Sequence, residues 1–78
     1  GSFGNLFGGF SDIRLKDNVK VIGKSPSNIN IYSFNYKGSD DTYQGVMAQE
    51  VPWASSLHDN GYLMVDYSKT DVEFRRLA

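Results

Sequence analysis

Apolar and polar residues alternate along the segment that follows Ser11. Ile13, Leu15, Val19 and Val21 share one parity, and the opposite parity carries arginine, lysine and asparagine. A period of two is typical of a strand that packs one face against a core. We therefore predict that the first strand begins close to Ser11 and buries these aliphatic side chains.

A second strand is predicted over residues 30–36. Its aromatic residues share one parity, whereas the isoleucines at its start take the other: Tyr32, Phe34, Tyr36, Ile29 and Ile31. This change of face indicates either a bulge near Ile31 or cover on both faces, which a neighbouring subunit could supply. A polar turn at residues 37–41 then leads into a partner strand at residues 42–47, where Gly45 indicates a bulge or a close approach of the backbone.

A second hairpin follows these strands. Residues 48–51 can start a helix, but Pro52 disfavours helical geometry in the residue before it. Asn60-Gly61 is the strongest turn signal in the chain, so we place a hairpin there with its return strand at residues 62–67. Three apolar residues ahead of this turn are expected to act as anchors: Trp53, Ala54 and Leu57.

The last residues carry a helix signal. Ser68 and Asp71 resemble a capping box, and no helix breaker interrupts the tail as far as Ala78. The predicted fold class is therefore α+β, a small domain of antiparallel β-hairpins with a short C-terminal helix.

Size and composition indicate a domain that needs help to fold. The chain has 78 residues, 40% of them hydrophobic, and a core of this size is marginal when it stands alone. It contains no Cys and one His, which excludes disulfides and makes a metal site implausible. We predict no cofactor and expect oligomerisation to supply stability. The net charge of −1 indicates no nucleic-acid partner, and no apolar run is long enough to insert into a membrane.

Residues 1–10 form a separate leader, GSFGNLFGGF, with four Gly and three Phe. Glycine permits irregular turns, whereas the aromatic rings need burial, so we expect an ordered segment that packs against another surface. A flexible linker is the alternative interpretation. Because the sequence begins with Gly-Ser rather than Met, we interpret it as part of a processed or longer chain.

The start of the first strand also carries candidate chemistry. Ser11 and Asp12 are followed by Lys16, and a serine with a lysine can act as nucleophile and base if burial lowers the pKa of the amine towards neutrality. Asp12 would support this pair as an orienting group. A Ser-Asp pair ahead of a strand is also ordinary turn chemistry, and a lysine on a strand edge is usually solvated.

Three blocks of sequence together resemble a known family. They are SDIRLKDNVKVI from Ser11, YQGVMAQEV from Tyr43 and GYLMVDYSK from Gly61. In these blocks the chain resembles the C-terminal intramolecular chaperone domain of phage tail spikes and endosialidases, the self-cleaving peptidase S74 family. The matching motifs also mark four residues as structural positions of the family: Gln49, Glu50, Asp66 and Tyr67.

The resemblance implies a homotrimer at the end of a tail spike or fibre, which helps the trimer to fold and then releases itself by serine-lysine autoproteolysis. Ser11 would be the nucleophile and Lys16 the base. Residues 11–78 would form this domain, and residues 1–10 would be the end of the fibre or a linker to it. The domain would be short at its C-terminus, because family members usually continue into long helices. Its partners would be the preceding fibre or spike domain and a host-surface receptor. It would be located in the virion, after assembly in the host cytoplasm.

Geometry restricts how this dyad can form. Five residues of extended strand would separate Ser11 from Lys16 by roughly 16 Å and put them on opposite faces. Either the chain bends at Ser11-Asp12, or Lys16 reaches the Ser11 of a neighbouring subunit. The Phe10-Ser11 bond is the preferred scissile bond, and Ser11-Asp12 is the second choice. The alternative function is a non-cleaving structural or receptor-binding tip.

Other candidate sites have simpler interpretations. His58 and Asp59 could join a nearby serine in a triad, but all of them fall in one predicted loop. Asp40-Asp41 lacks the further acids of a calcium loop and is interpreted as a polar turn. The aromatic stripe of the second strand could bind sugar, although packing in the core or at a subunit interface is the preferred interpretation.

Overall fold

The computed structural model describes residues 10–78, so the expected packing of residues 1–9 lies outside the described residues. The described part of the chain forms short β-strands joined by turns. Their bounds are β1 Lys16–Lys24, β2 Asn30–Tyr36, β3 Tyr43–Gly45, β4 Ser55–Leu57, β5 Leu63–Val65 and β6 Arg75–Arg76. Single 3₁₀ turns occupy Ile13–Leu15, Ala48–Glu50, Pro52–Ala54 and Tyr67–Lys69.

The strands form two antiparallel sheets. One sheet has four strands in the order β1-β2-β3-β6, and the other pairs β4 with β5. The second hairpin turns at Asn60-Gly61 as predicted, and Gly61 has a φ of +85°, which glycine adopts without strain. Its return strand is three residues long, shorter than the predicted residues 62–67. Within the described residues no helix is long and apolar enough to cross a membrane.

The predicted α+β class is wrong, because residues 10–78 contain no α-helix. Where a C-terminal helix was predicted from Ser68, the chain makes one 3₁₀ turn that Asp66 caps, and then runs extended. Asp71 does not cap a helix either, since its carboxylate accepts a hydrogen bond from the backbone N–H of Ser27 at 2.8 Å. Phe74 stacks on Tyr43 with ring centroids 5.3 Å apart. These contacts with the sheet override the local preference for a helix.

The first strand differs from its prediction in both position and burial. A 3₁₀ turn occupies Ile13–Leu15, so β1 begins only at Lys16. Its aliphatic side chains Val19, Val21 and Ile22 are exposed, whereas Lys16 is buried. The prediction that the aliphatic face meets the core is therefore wrong for Ile13, Val19 and Val21, whereas Leu15 packs against buried aromatic residues.

The β1–β2 register also contains two irregularities. The pairing shifts between Asp17 and Lys20 and again between Val21 and Gly23. Asn18, in the first shift, has a φ of +54°. Each extra residue rotates the side chains that follow it, so strict alternation does not continue along β1. The irregularity near Ile31, one of the two interpretations of the change of face in β2, thus lies on the opposite strand.

The apolar side chains form two adjoining clusters. The first is built from Ile29, Val46, Ala48, Val51, Ala54, Val65 and Val72. The second, which we call the aromatic cluster, is built from Phe34, Tyr36 and Met47 with Leu15, Tyr32, Tyr43 and Phe74 packed against it. Side chains of both parities of β2 therefore pack within this chain. Of the three predicted anchors only Ala54 is buried, whereas Trp53 and Leu57 are exposed.

Candidate active site at the start of the first strand

A 3₁₀ turn brings the amine of Lys16 back to the backbone of Ser11. Asp12 caps this turn by accepting a hydrogen bond from the backbone N–H of Arg14 at 2.9 Å. The backbone N–H of Leu15 donates to the carbonyl of Asp12 at 3.1 Å. Since the chain reverses here instead of running straight, Lys16 returns to the side of Ser11. Of the two arrangements left open by the sequence, the structure shows the bend.

The carboxylate of Asp12 holds the turn in place. It is fully buried and accepts hydrogen bonds from the Arg14 guanidinium at 2.7 and 3.0 Å, from Gln49 Nε2 at 2.9 Å and from the backbone N–H of Leu63 at 3.1 Å. The hydrogen bonds from Arg14 are the main reason why the pKa of Asp12 lies below its usual range, although burial opposes them. Asp12 is therefore ionised and serves as the structural anchor of the segment.

Lys16 is the buried cation of the site, with 4% of its surface exposed. Its Nζ donates to the carbonyl of Val46 at 2.8 Å and to the carbonyl of Ser11 at 3.3 Å, and it lies 3.9 Å from the centre of the Phe34 ring. Burial lowers the pKa of Lys16 to about 7, although the charge of Asp12 acts in the opposite direction. A substantial fraction of this amine is thus neutral near physiological pH.

Ser11 is fully buried beside this lysine. Its Oγ lies 3.0 Å from the hydroxyl of Tyr67, which also accepts a hydrogen bond from the backbone N–H of Val46 at 3.2 Å. The Ser11 carbonyl accepts a second hydrogen bond, from the N–H of Ala48 at 2.8 Å. Burial raises the pKa of Tyr67, so this hydroxyl keeps its proton. Both the main chain and the side chain of Ser11 are held by neighbouring elements.

Gly45 makes the contact between Tyr67 and Ser11 possible. A Cβ at this position would lie 2.5 Å from the Tyr67 hydroxyl and 3.3 Å from both Phe34 and Phe74. The predicted close approach of the backbone at Gly45 is therefore confirmed. Any residue larger than glycine at position 45 would displace Tyr67, the tyrosine that contacts Ser11.

The carbonyl on the other side of Ser11 also has a partner. Tyr36 donates its hydroxyl proton to the carbonyl oxygen of Phe10 at 3.0 Å. Phe10 forms an isolated antiparallel bridge with Met64, and its ring packs edge to face on His58 at 5.2 Å. The peptide bond between Phe10 and Ser11 is thus held from β2 and β5 at once.

The structure brings together most, but not all, of the residues that the sequence marked. Ser11, Asp12, Lys16, Gln49 and Tyr67 converge on one corner, as the contacts above describe. Glu50 instead accepts a hydrogen bond from the Tyr32 hydroxyl at 2.8 Å, away from Ser11. Asp66 caps the Tyr67–Lys69 turn by accepting a hydrogen bond from the backbone N–H of Ser68. It therefore affects the site only by helping to position Tyr67.

Two neighbours of the site were missed as functional candidates. The sequence pattern places Tyr36 in the aromatic stripe, since its parity shows that it shares a face with Phe34 but not that its hydroxyl meets Phe10. The same pattern places Arg14 on the polar face of the strand. Its spacing of two residues from Asp12 is the signal that could have found the turn, because an aspartate often accepts from the backbone N–H two residues on.

The residues of the alternative sites make other contacts, and His58 meets this corner only where its ring packs on Phe10. Asp41 pairs with Arg76 at 3.0 Å, and the Ser55 hydroxyl donates to the backbone carbonyls of Ala48 and Val51 at 2.9 Å. His58 is exposed in the Asn60-Gly61 loop. Among the described residues no group of three or more His, Cys, Asp or Glu side chains could hold a metal ion.

Comparison with known families identifies the chain. A sequence model of the peptidase S74 family, described as the chaperone of endosialidase, matches residues 11–59, which is more than half of the 78 residues. The chain belongs to the peptidase S74 family. The resemblance inferred from the sequence is therefore confirmed, and membership supports a chaperone domain associated with a phage tail.

The S74 match contains Ser11, Asp12, Lys16, Tyr36 and Gln49, and it ends before Tyr67. Neither a curated protein nor a solved structure matches this S74 chain.

Proposed function

We propose that this chain is the intramolecular chaperone of a phage tail spike or fibre, and that it releases itself by cutting the bond between Phe10 and Ser11. Ser11 is the nucleophile and Lys16 is the base. The proposal assigns residues 1–10 to the fibre side of the cut and residues 11–78 to the chaperone domain that is released. The S74 match starts at Ser11, the first residue after the proposed cut, which supports this division.

The observation that carries the proposal is the buried Lys16 against Ser11. Burying a lysine to 4% exposure, which lowers its pKa to about 7, reduces the folding stability of a small domain. Its Nζ reaches the Ser11 carbonyl at 3.3 Å within one chain. Perturbed pKa values next to a nucleophile are typical of active sites. A solvated edge lysine, the simpler interpretation from sequence, has neither property.

The reaction needs one nucleophile and one proton acceptor. Ser11 Oγ attacks the carbonyl carbon of Phe10 through a five-membered ring, while neutral Lys16 takes up the hydroxyl proton. The C–N bond then breaks, the nitrogen of Ser11 gains a proton, and an ester joins Phe10 to Ser11 Oγ. Water hydrolyses this ester, which gives the carboxylate of Phe10 and a free α-amine on Ser11. The Tyr67 hydroxyl, 3.0 Å from Ser11 Oγ, orients the nucleophile.

We propose that the dyad acts within one chain. The alternative, in which Lys16 serves a neighbouring subunit, was required only if residues 11–16 were extended. The turn at Ile13–Leu15 removes that requirement.

The chaperone role includes a homotrimer, in which further copies of this chain cover β1. This strand lies at the edge of the four-stranded sheet and exposes Val19, Val21 and Ile22 at 38%, 55% and 48%. An exposed apolar edge strand is a site for pairing or aggregation unless a partner covers it. The location that follows is the virion tail, with the preceding fibre or spike domain as the partner on the other side of Phe10.

Self-cleavage is tested with a carrier protein fused ahead of Gly1. Intact mass should show a carrier that ends at Phe10 and a fragment that starts at Ser11. Ser11→Ala should abolish cleavage, whereas Ser11→Cys should retain part of it because a thiol can perform the same acyl shift. Lys16→Arg should fail because guanidinium keeps its proton at neutral pH. Lys20→Met, which changes an exposed lysine of the same strand, is the matched control and should cleave normally.

The pH profile and mixed assemblies sharpen this test. The cleavage rate should rise as the pH increases through about 7, because Lys16 must first lose its proton. Mixing Ser11→Ala with Lys16→Met chains before folding should restore no cleavage if the dyad acts within one chain. Restoration would contradict that arrangement, and cleavage by Ser11→Ala or Lys16→Met alone would refute the dyad.

The trimer is tested separately by light scattering at micromolar concentration. Ile22→Lys should reduce the assembled mass from three chains to one. Leu57→Lys changes an even more exposed apolar side chain, 72% exposed against 48% for Ile22, in β4, and it should leave the trimer intact. Equal effects of the two variants would exclude β1 as the interface.

A non-cleaving structural tip is the second candidate. The contact between Ser11 Oγ and Tyr67 favours it, since a buried hydroxyl in such a pair can serve packing alone. The two functions differ in one result. In the structural tip the unsubstituted fusion stays intact, and Ser11→Ala changes only stability.

A further inference from the structure

The hydrogen bond from Tyr36 to Phe10 concerns the atom on which charge would develop during self-cleavage. Tyr36 Oη lies 3.0 Å from the carbonyl oxygen of Phe10. When Ser11 Oγ adds to this carbonyl, the oxygen becomes an oxyanion. A donor that is already aimed at such an oxygen stabilises the transition state more than the ground state.

The position of Tyr36 is determined by the sheet. In the ladder between β1 and β2, Tyr36 is the direct partner of Lys16. The two neighbouring strands thus bring a base and a donor to the same peptide bond. This pairing survives because it precedes both register shifts of β1.

The ring of Tyr36 is also held firmly. It is 8% exposed and packs edge to face on Phe34 at 5.4 Å and on Tyr43 at 5.5 Å. Burial raises the pKa of Tyr36 well above its ordinary value, so the hydroxyl keeps the proton that it donates. A fixed, protonated donor needs little reorganisation during the reaction.

We propose that Tyr36 is a catalytic residue of the self-cleavage, whose hydroxyl stabilises the oxyanion formed on the Phe10 carbonyl. This inference rests on the proposed function. As the Ser11 Oγ–carbon bond forms, the carbonyl electron pair moves onto oxygen and is stabilised by the Tyr36 proton, which stays on the phenol. When the carbon–nitrogen bond breaks, that pair returns to form the ester carbonyl. The net reaction needs no further reactant beyond the water that opens the ester.

The test compares Tyr36→Phe with Tyr43→Phe in the carrier fusion. Tyr43 belongs to the same aromatic cluster, and its hydroxyl makes no hydrogen bond with another described residue. Saturating hydroxylamine captures the ester, so that ester formation limits the rate of chain cleavage. Tyr36→Phe should slow this step by about 100- to 1,000-fold, as the loss of one oxyanion donor does elsewhere. Tyr43→Phe should cleave at the unsubstituted rate.

A second measurement keeps the ring and the fold. Site-specific replacement of Tyr36 by a fluorinated tyrosine makes the phenol more acidic and a stronger donor. Ester formation should then accelerate several-fold, an effect that a purely structural ring would not produce. If Tyr36→Phe fails to fold, judged by its melting curve, this replacement alone decides.

The outcomes separate the two proposals. Normal ester formation in Tyr36→Phe, or no response to fluorination, overturns the role of Tyr36 while Ser11→Ala remains inactive and the proposed function stands. Cleavage that persists in Ser11→Ala, or an unsubstituted fusion that stays intact, overturns the proposed function and with it this inference.

Discussion

The segment that crosses from Ser11 into β1 contains two regions with opposite burial. Its first residues are polar and buried: Ser11 and Asp12 are 0% exposed and Lys16 is 4% exposed. The aliphatic residues Val21 and Ile22 that follow are 55% and 48% exposed. Polar groups are usually buried only where hydrogen bonds satisfy them, and every buried polar side-chain atom described here has a partner.

This difference separates what a small domain does for its own stability from what it does for function. The buried corner places an amine, a hydroxyl and a carboxylate where apolar side chains would stabilise more. The aliphatic face of β1 is left exposed. The proposed trimer would cover this face and add stability to a domain whose own core is marginal.

The largest expected change in stability comes from removing the wall of the buried corner. Phe34 is 1% exposed and its ring centre lies 3.9 Å from Lys16 Nζ. Phe34→Ala should lower the free energy of unfolding by about 4 kcal/mol, because it leaves a cavity beside a buried amine. Urea denaturation measures this change. Trp53→Ala is the contrast, since Trp53 is 56% exposed and its loss should have a much smaller effect. Equal effects would remove the distinction between a buried and an exposed region.

The next largest effect is a pH dependence that belongs to Lys16. Its pKa is lowered from 10.5 to about 7 on folding. Between these values the unfolded chain binds more protons than the folded chain, so stability rises with pH. The free energy of unfolding should increase by about 3 kcal/mol between pH 7 and pH 9.5.

Lys16→Met is the control for this pH dependence, because methionine fills a similar volume without titrating. The increase should disappear in that variant. Measurements should stop below pH 10. Above that pH, Tyr36 and Tyr67 lower the stability, because burial raises their pKa values in the folded chain above those in the unfolded chain. An unchanged slope in Lys16→Met would show that Lys16 is solvated.

A smaller effect is expected from one methyl group in β3. Gly45→Ala places a Cβ 2.5 Å from the Tyr67 hydroxyl and should cost about 2 kcal/mol through overpacking. Cleavage should fall as well, because Tyr67 moves away from Ser11. Gly23→Ala in β1 is the matched control, since its Cβ would meet nothing within 4 Å. A tolerated Gly45→Ala would mean that Tyr67 can move without consequence.

The smallest expected effect lies on the exposed face. Val21→Thr should change the stability of the dilute monomer by less than about 0.5 kcal/mol, because this side chain has little to lose within its own chain. If the proposed trimer forms through β1, the same variant should weaken it measurably by analytical ultracentrifugation. A loss of several kcal/mol in the monomer would instead place Val21 in the chain's own core.

The sequence by itself determined the local features and the family. Asn60-Gly61 predicted a hairpin because such a turn needs a residue at positive φ, which glycine adopts readily. Gly45 indicated a close approach of the backbone. The residues from Ser11 to Lys16 carried enough of the motif to indicate the S74 family, which the family match confirms. The pairing of a serine with a lysine also identified the corner whose geometry now supports the proposed chemistry.

Tertiary structure alone decided which faces are buried and which atoms meet. Period two predicts a face only while a strand stays regular, and the register shifts of β1 end that regularity. The helix signal at Ser68 was overruled by the stacking of Phe74 on Tyr43, a contact between residues far apart in sequence. The meetings of Tyr67 with Ser11 and of Tyr36 with Phe10 likewise join distant residues. Their distances depend on the pairing of whole strands, which no local pattern of residues encodes.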